Sequence, residues 1–96
     1  MRVEFHPAAQ QELAAAVNLG EEQESGLGGQ LLVEARRVTQ LLGDLPWIGR
    51  PLDSRHRRFP LTRFPFGLIY RIEGDLVLVL AVAHRRQLPG YWRSRG

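Results

Sequence analysis

The sequence predicts an α+β fold in which an antiparallel pair of helices packs on one face of a sheet, in the order β-α-α-β-β-β. Three observations carry this expectation. Apolar residues recur at helical spacing from Leu27 to Leu45, the period changes to two after Pro51, and Leu76 to Ala83 is apolar on both faces. A sheet must bury one face and an amphipathic helix one side, so the leucine-lined helices and the strands are expected to cover each other.

Arg2–Phe5 alternates apolar and polar residues over a short run and reads as a first strand. Pro7 follows, and proline suits a first helical position because its missing N–H would have no partner there. Ala8 to about Glu24 is rich in Ala, Gln, Glu and Leu, all good helix formers, with a weak apolar side at Leu13, Ala16, Val17 and Gly20. Ser25-Gly26-Leu27-Gly28-Gly29 breaks the pattern. Leu27, Leu31, Ala35, Val38, Leu42 and Leu45 then recur at steps of 4, 4, 3, 4 and 3, a second helix expected to end at Pro46. The tight connection makes the two helices a hairpin.

Trp47 to Pro51 is a turn-rich connection. Arg55–Leu61 is expected to be a strand whose arginines mark an edge or a functional face. Phe64, Phe66, Leu68, Tyr70 and Ile72 alternate with their neighbours as a strand with one covered face. Glu73-Gly74-Asp75 signals a hairpin turn into Leu76–Ala83, the central strand. The last three strands form an antiparallel meander, and Arg2–Phe5 is the candidate for the other neighbour of the central strand.

Ninety-six residues fit one domain, 1–96. There is no cysteine, so disulfides and thiolate chemistry are excluded. His6, His56 and His84 lack ligand spacing, and neither a metal site nor a cofactor is expected. No signal-peptide pattern opens the chain, and its longest apolar run is far short of the ~20 residues of a membrane span. A cytoplasmic, non-membrane protein is the expectation. All thirteen basic residues are arginine. Three arginines face seven carboxylates in residues 1–48, and ten face three in residues 49–96, so the halves carry −4 and +7. A basic half of this kind fits a polyanion or an acidic protein partner. Genomic base composition explains the arginine bias equally well.

Four segments carry a family resemblance: FHPAAQQEL, GLGGQLLVEA, RRFPLTRFPFGLIYRI and VLAVAHRRQLPGYW. Together they resemble the RelE/ParE superfamily of toxins from type II toxin–antitoxin systems, often called plasmid stabilisation proteins, over nearly the whole chain from Val3 to Arg95. The resemblance implies a growth-inhibiting toxin paired with a small antitoxin whose disordered tail wraps it, docking in a groove or on an exposed edge beside the helical hairpin. It also implies assembly with the antitoxin into a heterotetramer or larger complex. The superfamily divides by target. RelE-like members cut messenger RNA on the ribosome and are enzymes, whereas ParE-like members block DNA gyrase and are not.

Cutting RNA by 2′-OH attack needs a base, positive charge for the phosphorane and an acid for the leaving oxygen. On the RelE-like alternative, Arg85 would stabilise phosphate charge, Tyr91 would stack or exchange a proton, and His84 would be a base. The plainer alternatives are a hydrogen-bonded structural His84 and a Tyr91-Trp92 tail packed on the sheet. RelE-like nucleases generally carry an arginine on the strand before the last, where this chain has Gly67, and their lysine cluster is absent. Arginine is a poor proton shuttle. The resemblance therefore favours the ParE-like branch, with Arg55, Arg57, Arg58, Arg63, Arg86 and Trp92 as candidate target-binding residues. A solvated edge strand explains the Arg55–Arg63 cluster as well, and a basic nucleic-acid-binding module without toxicity is the blander function.

Overall fold

The computed structural model describes all 96 residues. Strand β1 (Arg2–Phe5) runs directly into helix α1 (Pro7–Gln23). Pro7 takes the first helical position, and the His6 ring accepts the Ala8 N–H through Nδ1 at 3.0 Å. Helix α2 spans Leu27–Asp44 and buries Gly28, Leu31, Ala35, Val38 and Leu42. The helices touch backbone to backbone where they meet. A Cβ on Gly28 would lie 2.3 Å from the Val17 carbonyl oxygen, so only glycine fits. The leucine stripe stops one step short of the expectation. Leu45 caps the helix and its side chain is exposed, because the chain turns away towards Pro46.

The sheet has five strands in the order β1-β5-β4-β3-β2, with β2 Arg50–Pro51, β3 Arg57–Pro60, β4 Phe66–Glu73 and β5 Leu76–His84. The central strand and both its neighbours are as expected. Strands β3, β4 and β5 form the antiparallel meander, and the β4–β5 turn is Gly74-Asp75. Four details differ. The first is that β3 covers only Arg57–Pro60 of the expected Arg55–Leu61. The sheet is mixed, since β1 pairs with β5 in parallel, Arg2 opposite Leu76. Strand β2 is an additional two-residue strand along β3. Strand β4 begins at Phe66 instead of Phe64, because residues 61–66 close a loop through the Leu61 N–H to Phe66 carbonyl bond, with Arg63 at φ 73°.

Two cores result. Leu68, Tyr70, Val77, Val79 and Val82 meet the helices on one face. Ile69, Leu80, Ala81, Ala83 and Trp92 form a second cluster on the other. A bulge opposite Ile69/Tyr70 adds a residue to β5, so Leu80 and Ala81 both join the second cluster. That explains why the central strand is apolar on both faces: the helical hairpin covers one side and the C-terminal tail the other.

Candidate functional site

The second face of the sheet is where the chemistry-bearing residues gather, and the tail that covers it is held by charge. Strand β1 ends at Phe5 but β5 runs on, leaving backbone groups without a strand partner. Glu12 on α1 and Arg95 in the tail supply the partners. The Val82 N–H donates to Glu12 Oε1 at 3.0 Å, and Arg95 Nη1 donates to the Leu80 carbonyl at 3.0 Å. Arg95 also forks onto the Glu12 carboxylate at 2.8 and 3.0 Å, and the Tyr91 hydroxyl donates to it at 2.9 Å. Desolvation, then the Glu12 hydrogen bond, pushes the Tyr91 phenol up to about 12. The phenol therefore keeps its proton and donates it in a hydrogen bond to Glu12.

Further along the tail, Trp92 is 3% exposed, its ring 4.6 Å from that of His56. His56 Nδ1 lies 2.9 Å from both Asp53 carboxylate oxygens, and its Nε2 is buried without a partner. Arg93 stacks over Trp92 at 4.7 Å and pairs with Asp53. The Arg55 N–H, then Arg93 and His56, hold the Asp53 carboxyl well below the usual carboxylate range. Arg71, buried on the same face, donates to the carbonyl of Gly96.

Between the tail and strands β2–β5 lies a cavity of about 430 Å³. Its polar wall includes Arg50, Arg58, His84, Arg85, Gln87 and Arg93, and no carboxylate lines it. Arg50 and Arg58 are directly opposite on paired strands. Arg50, Arg58 and Arg85 form no ion pair. Burial, then the charge of Arg50, lowers the Arg58 pKa. The Arg58 guanidinium lies against Gly67, where a Cβ would stand 2.5 Å from Cζ. Thus the glycine noted in the sequence is the seat of an arginine from the neighbouring strand.

The candidate residues are partly assembled. His84, Arg85 and Tyr91 line this cavity together with Arg58. The His84 ring accepts the Arg86 N–H through Nδ1 at 3.0 Å and stands edge-on to Phe66. The remaining arginines lie elsewhere. Arg57 donates to the Trp47 and Gly49 carbonyls and stacks on exposed Trp47, with Arg55 nearby. Arg63 lies on the loop beside the ends of the helices. Trp92 presents its ring to the sheet instead of to solvent. Sequence reasoning missed Glu12, Arg50, Asp53, Arg93 and Arg95. Only the excess of arginine hinted at the last two, and nothing local marked Glu12.

On the opposite face a groove of about 960 Å³ opens between α1, α2 and the edge strand β1, floored by Val3, Phe5, Leu13 and Val17 and rimmed by Arg36 and Asp44. No three His, Asp or Glu side chains gather as a metal-binding group, and no helix is long and apolar enough to cross a membrane.

Residues 3–89 match the family model described as ParE toxin of type II toxin-antitoxin system, parDE. Among solved structures, the chain is similar to one from a chromosomal ParDE TA system of P. aeruginosa, with a TM-score of 0.66 and 18% identity over 88% of this chain and 95% of that one. At that identity the likeness bears on the fold. No curated protein sequence matches the chain.

Proposed function

We propose, since the chain belongs to the ParE toxin family of type II toxin–antitoxin systems, that it arrests growth by blocking a large cytoplasmic target such as DNA gyrase through its arginine-rich surfaces, without cutting RNA. The observation that carries this reading is the state of the would-be nuclease residues. Gly67 stands where a catalytic arginine would be, and the Tyr91 hydroxyl keeps its proton in a hydrogen bond to Glu12 inside a packed tail. His84 spends Nδ1 on a backbone turn. Arg58 and Arg85 supply positive charge but exchange no protons at neutral pH. Such a face binds anions better than it moves protons.

The cognate antitoxin docks, on this reading, in the groove between the helical hairpin and β1. Its floor is apolar and β1 offers a free backbone edge, which suits a disordered tail that folds on binding. The −4 charge of residues 1–48 and the +7 of residues 49–96 leave an acidic antitoxin most attracted to the second half, so its tail extends from the groove towards the arginines. A supercoiling assay with purified toxin tests the proposal. Inhibition of gyrase at stoichiometric toxin, relieved by antitoxin, is expected. Full supercoiling activity in the presence of a folded, growth-arresting toxin would refute gyrase as the target.

A further inference from the structure

We infer that the cavity on the second face is a binding site for a phosphate ester of nucleotide size, held by Arg50, Arg58 and Arg85 with Gly67 as the seat of the central guanidinium. The inference goes beyond the toxin reading and holds whichever macromolecule is poisoned.

Like charges directly opposite on neighbouring strands destabilise a sheet. Arg50 and Arg58 are such a pair, and neither has a carboxylate to offset the other. Arg58 is half-buried while Arg50 and Arg85 are exposed at the cavity rim. The buried Arg71 and half-buried Arg95 of this face are by contrast satisfied, Arg71 by Glu73 and Gly96, Arg95 by Glu12 and Leu80. Arg36, Arg55 and Arg63 also line pockets without an ion pair, but here three unpaired arginines meet around one cavity. Arg58 is also partly desolvated, so an anion arriving there relieves both its burial and its repulsion from Arg50.

The three arginines come from three segments: β2, β3 and the turn after β5. Convergence from three directions suits the tetrahedral oxygens of a phosphate better than a planar carboxylate, which one guanidinium fork satisfies. A volume of about 430 Å³ exceeds a bare ion and falls within the range of small-molecule sites. Its remaining walls include Leu52, Ile69, Leu88 and Tyr91, apolar surface for the organic part of the ester. Gly67 is essential to this arrangement. Any side chain there would push the Arg58 guanidinium off the sheet, and the displaced arginine end is flexible enough for the fold to survive.

Isothermal titration calorimetry of the full chain with AMP, adenosine and a single-stranded tetranucleotide tests the site. Phosphate-bearing probes bind and adenosine does not. Arg58→Gln and Gly67→Ala each weaken binding at least tenfold, while Arg2→Gln, which removes the same charge from an exposed position on β1, does not. Binding of AMP identifies a free nucleotide as the ligand, and binding of the tetranucleotide alone identifies an internal phosphodiester. Adenosine binding as tightly as AMP, affinity unchanged in both cavity variants, or no binding by any probe to the native chain would overturn the inference. Growth arrest is read separately, so loss of this site leaves the toxin reading standing.

Discussion

Replacing Glu12 with Ala removes the carboxylate shared by Tyr91 and Arg95 of the C-terminal tail. Three interactions go at once. The Val82 N–H, on a strand edge with no other partner, loses its acceptor, and an unsatisfied buried donor costs about 1–3 kcal/mol. The Tyr91 hydroxyl keeps only a long contact to Gln87 at 3.4 Å, a loss of about 1 kcal/mol. Arg95 keeps the Leu80 carbonyl but loses its bidentate ion pair, worth up to about 1 kcal/mol because both side chains retain some solvent contact. The three are coupled and do not add fully, so a total of about 3 kcal/mol is expected. For a chain of this length each kcal/mol shifts the midpoint by about 4–8 °C, giving a fall of roughly 15 °C. Calorimetry at pH 7 measures the midpoint, and hydrogen exchange at Val82 reports the lost bond directly. Tyr91→Phe, which removes a single bond, lowers the midpoint by only about a third as much. A Glu12→Ala midpoint within 3 °C of the native value, with unchanged Val82 protection, would refute the tail-clamp reasoning; that threshold is set at about half the effect of one net hydrogen bond.

Other perturbations test other parts of the structure. Tyr70 is fully buried, donating to the Pro46 carbonyl at 2.7 Å and accepting from the Gly49 N–H at 2.8 Å, so Tyr70→Phe should cost about 2 kcal/mol in a melting experiment and loosen the loop that carries Trp47. Gly28→Val forces α1 and α2 apart at their closest approach, and a loss of at least about 2 kcal/mol is expected in denaturant titrations. Glu34 is bonded to Arg37 and to the Thr62 N–H, and the Arg37 guanidinium first of all holds its carboxyl down at about 2 against an ordinary 4.5. Its folded pKa is depressed, so its contribution is complete above about pH 4.5 and is lost as pH falls through about 2. Glu34→Gln should therefore lower stability at pH 6 and flatten the acid limb of the stability–pH curve, as followed by circular dichroism.

Much of the fold was legible because its elements have clean periods. The Leu31–Leu42 stripe, the alternation through Phe66–Ile72 and the continuous apolar run of β5 each state which faces are covered. Strand β2 left no trace, since two residues have no period. The parallel pairing of β1 is equally invisible, as register between distant segments depends on how the helices return the chain. The site was legible in part. His84, Arg85 and Tyr91 could be picked out as types at the end of a central strand, and Gly67 as a position lacking an expected side chain. What could not be read was the use made of them. The Glu12–Arg95 and Asp53–Arg93 pairs join residues 83 and 40 positions apart, and only the folded chain brings them together. Likewise, Arg58 became the occupant of the Gly67 position only through the β3–β4 register.

The claim that this toxin grips its target with arginines and leaves RNA intact is tested most directly by primer extension on messenger RNA from cells arrested by its induction. Growth stops and no new 5′ ends appear, if the account is right. Codon-linked 5′ ends that form with the native chain and vanish in Arg85→Ala would contradict it.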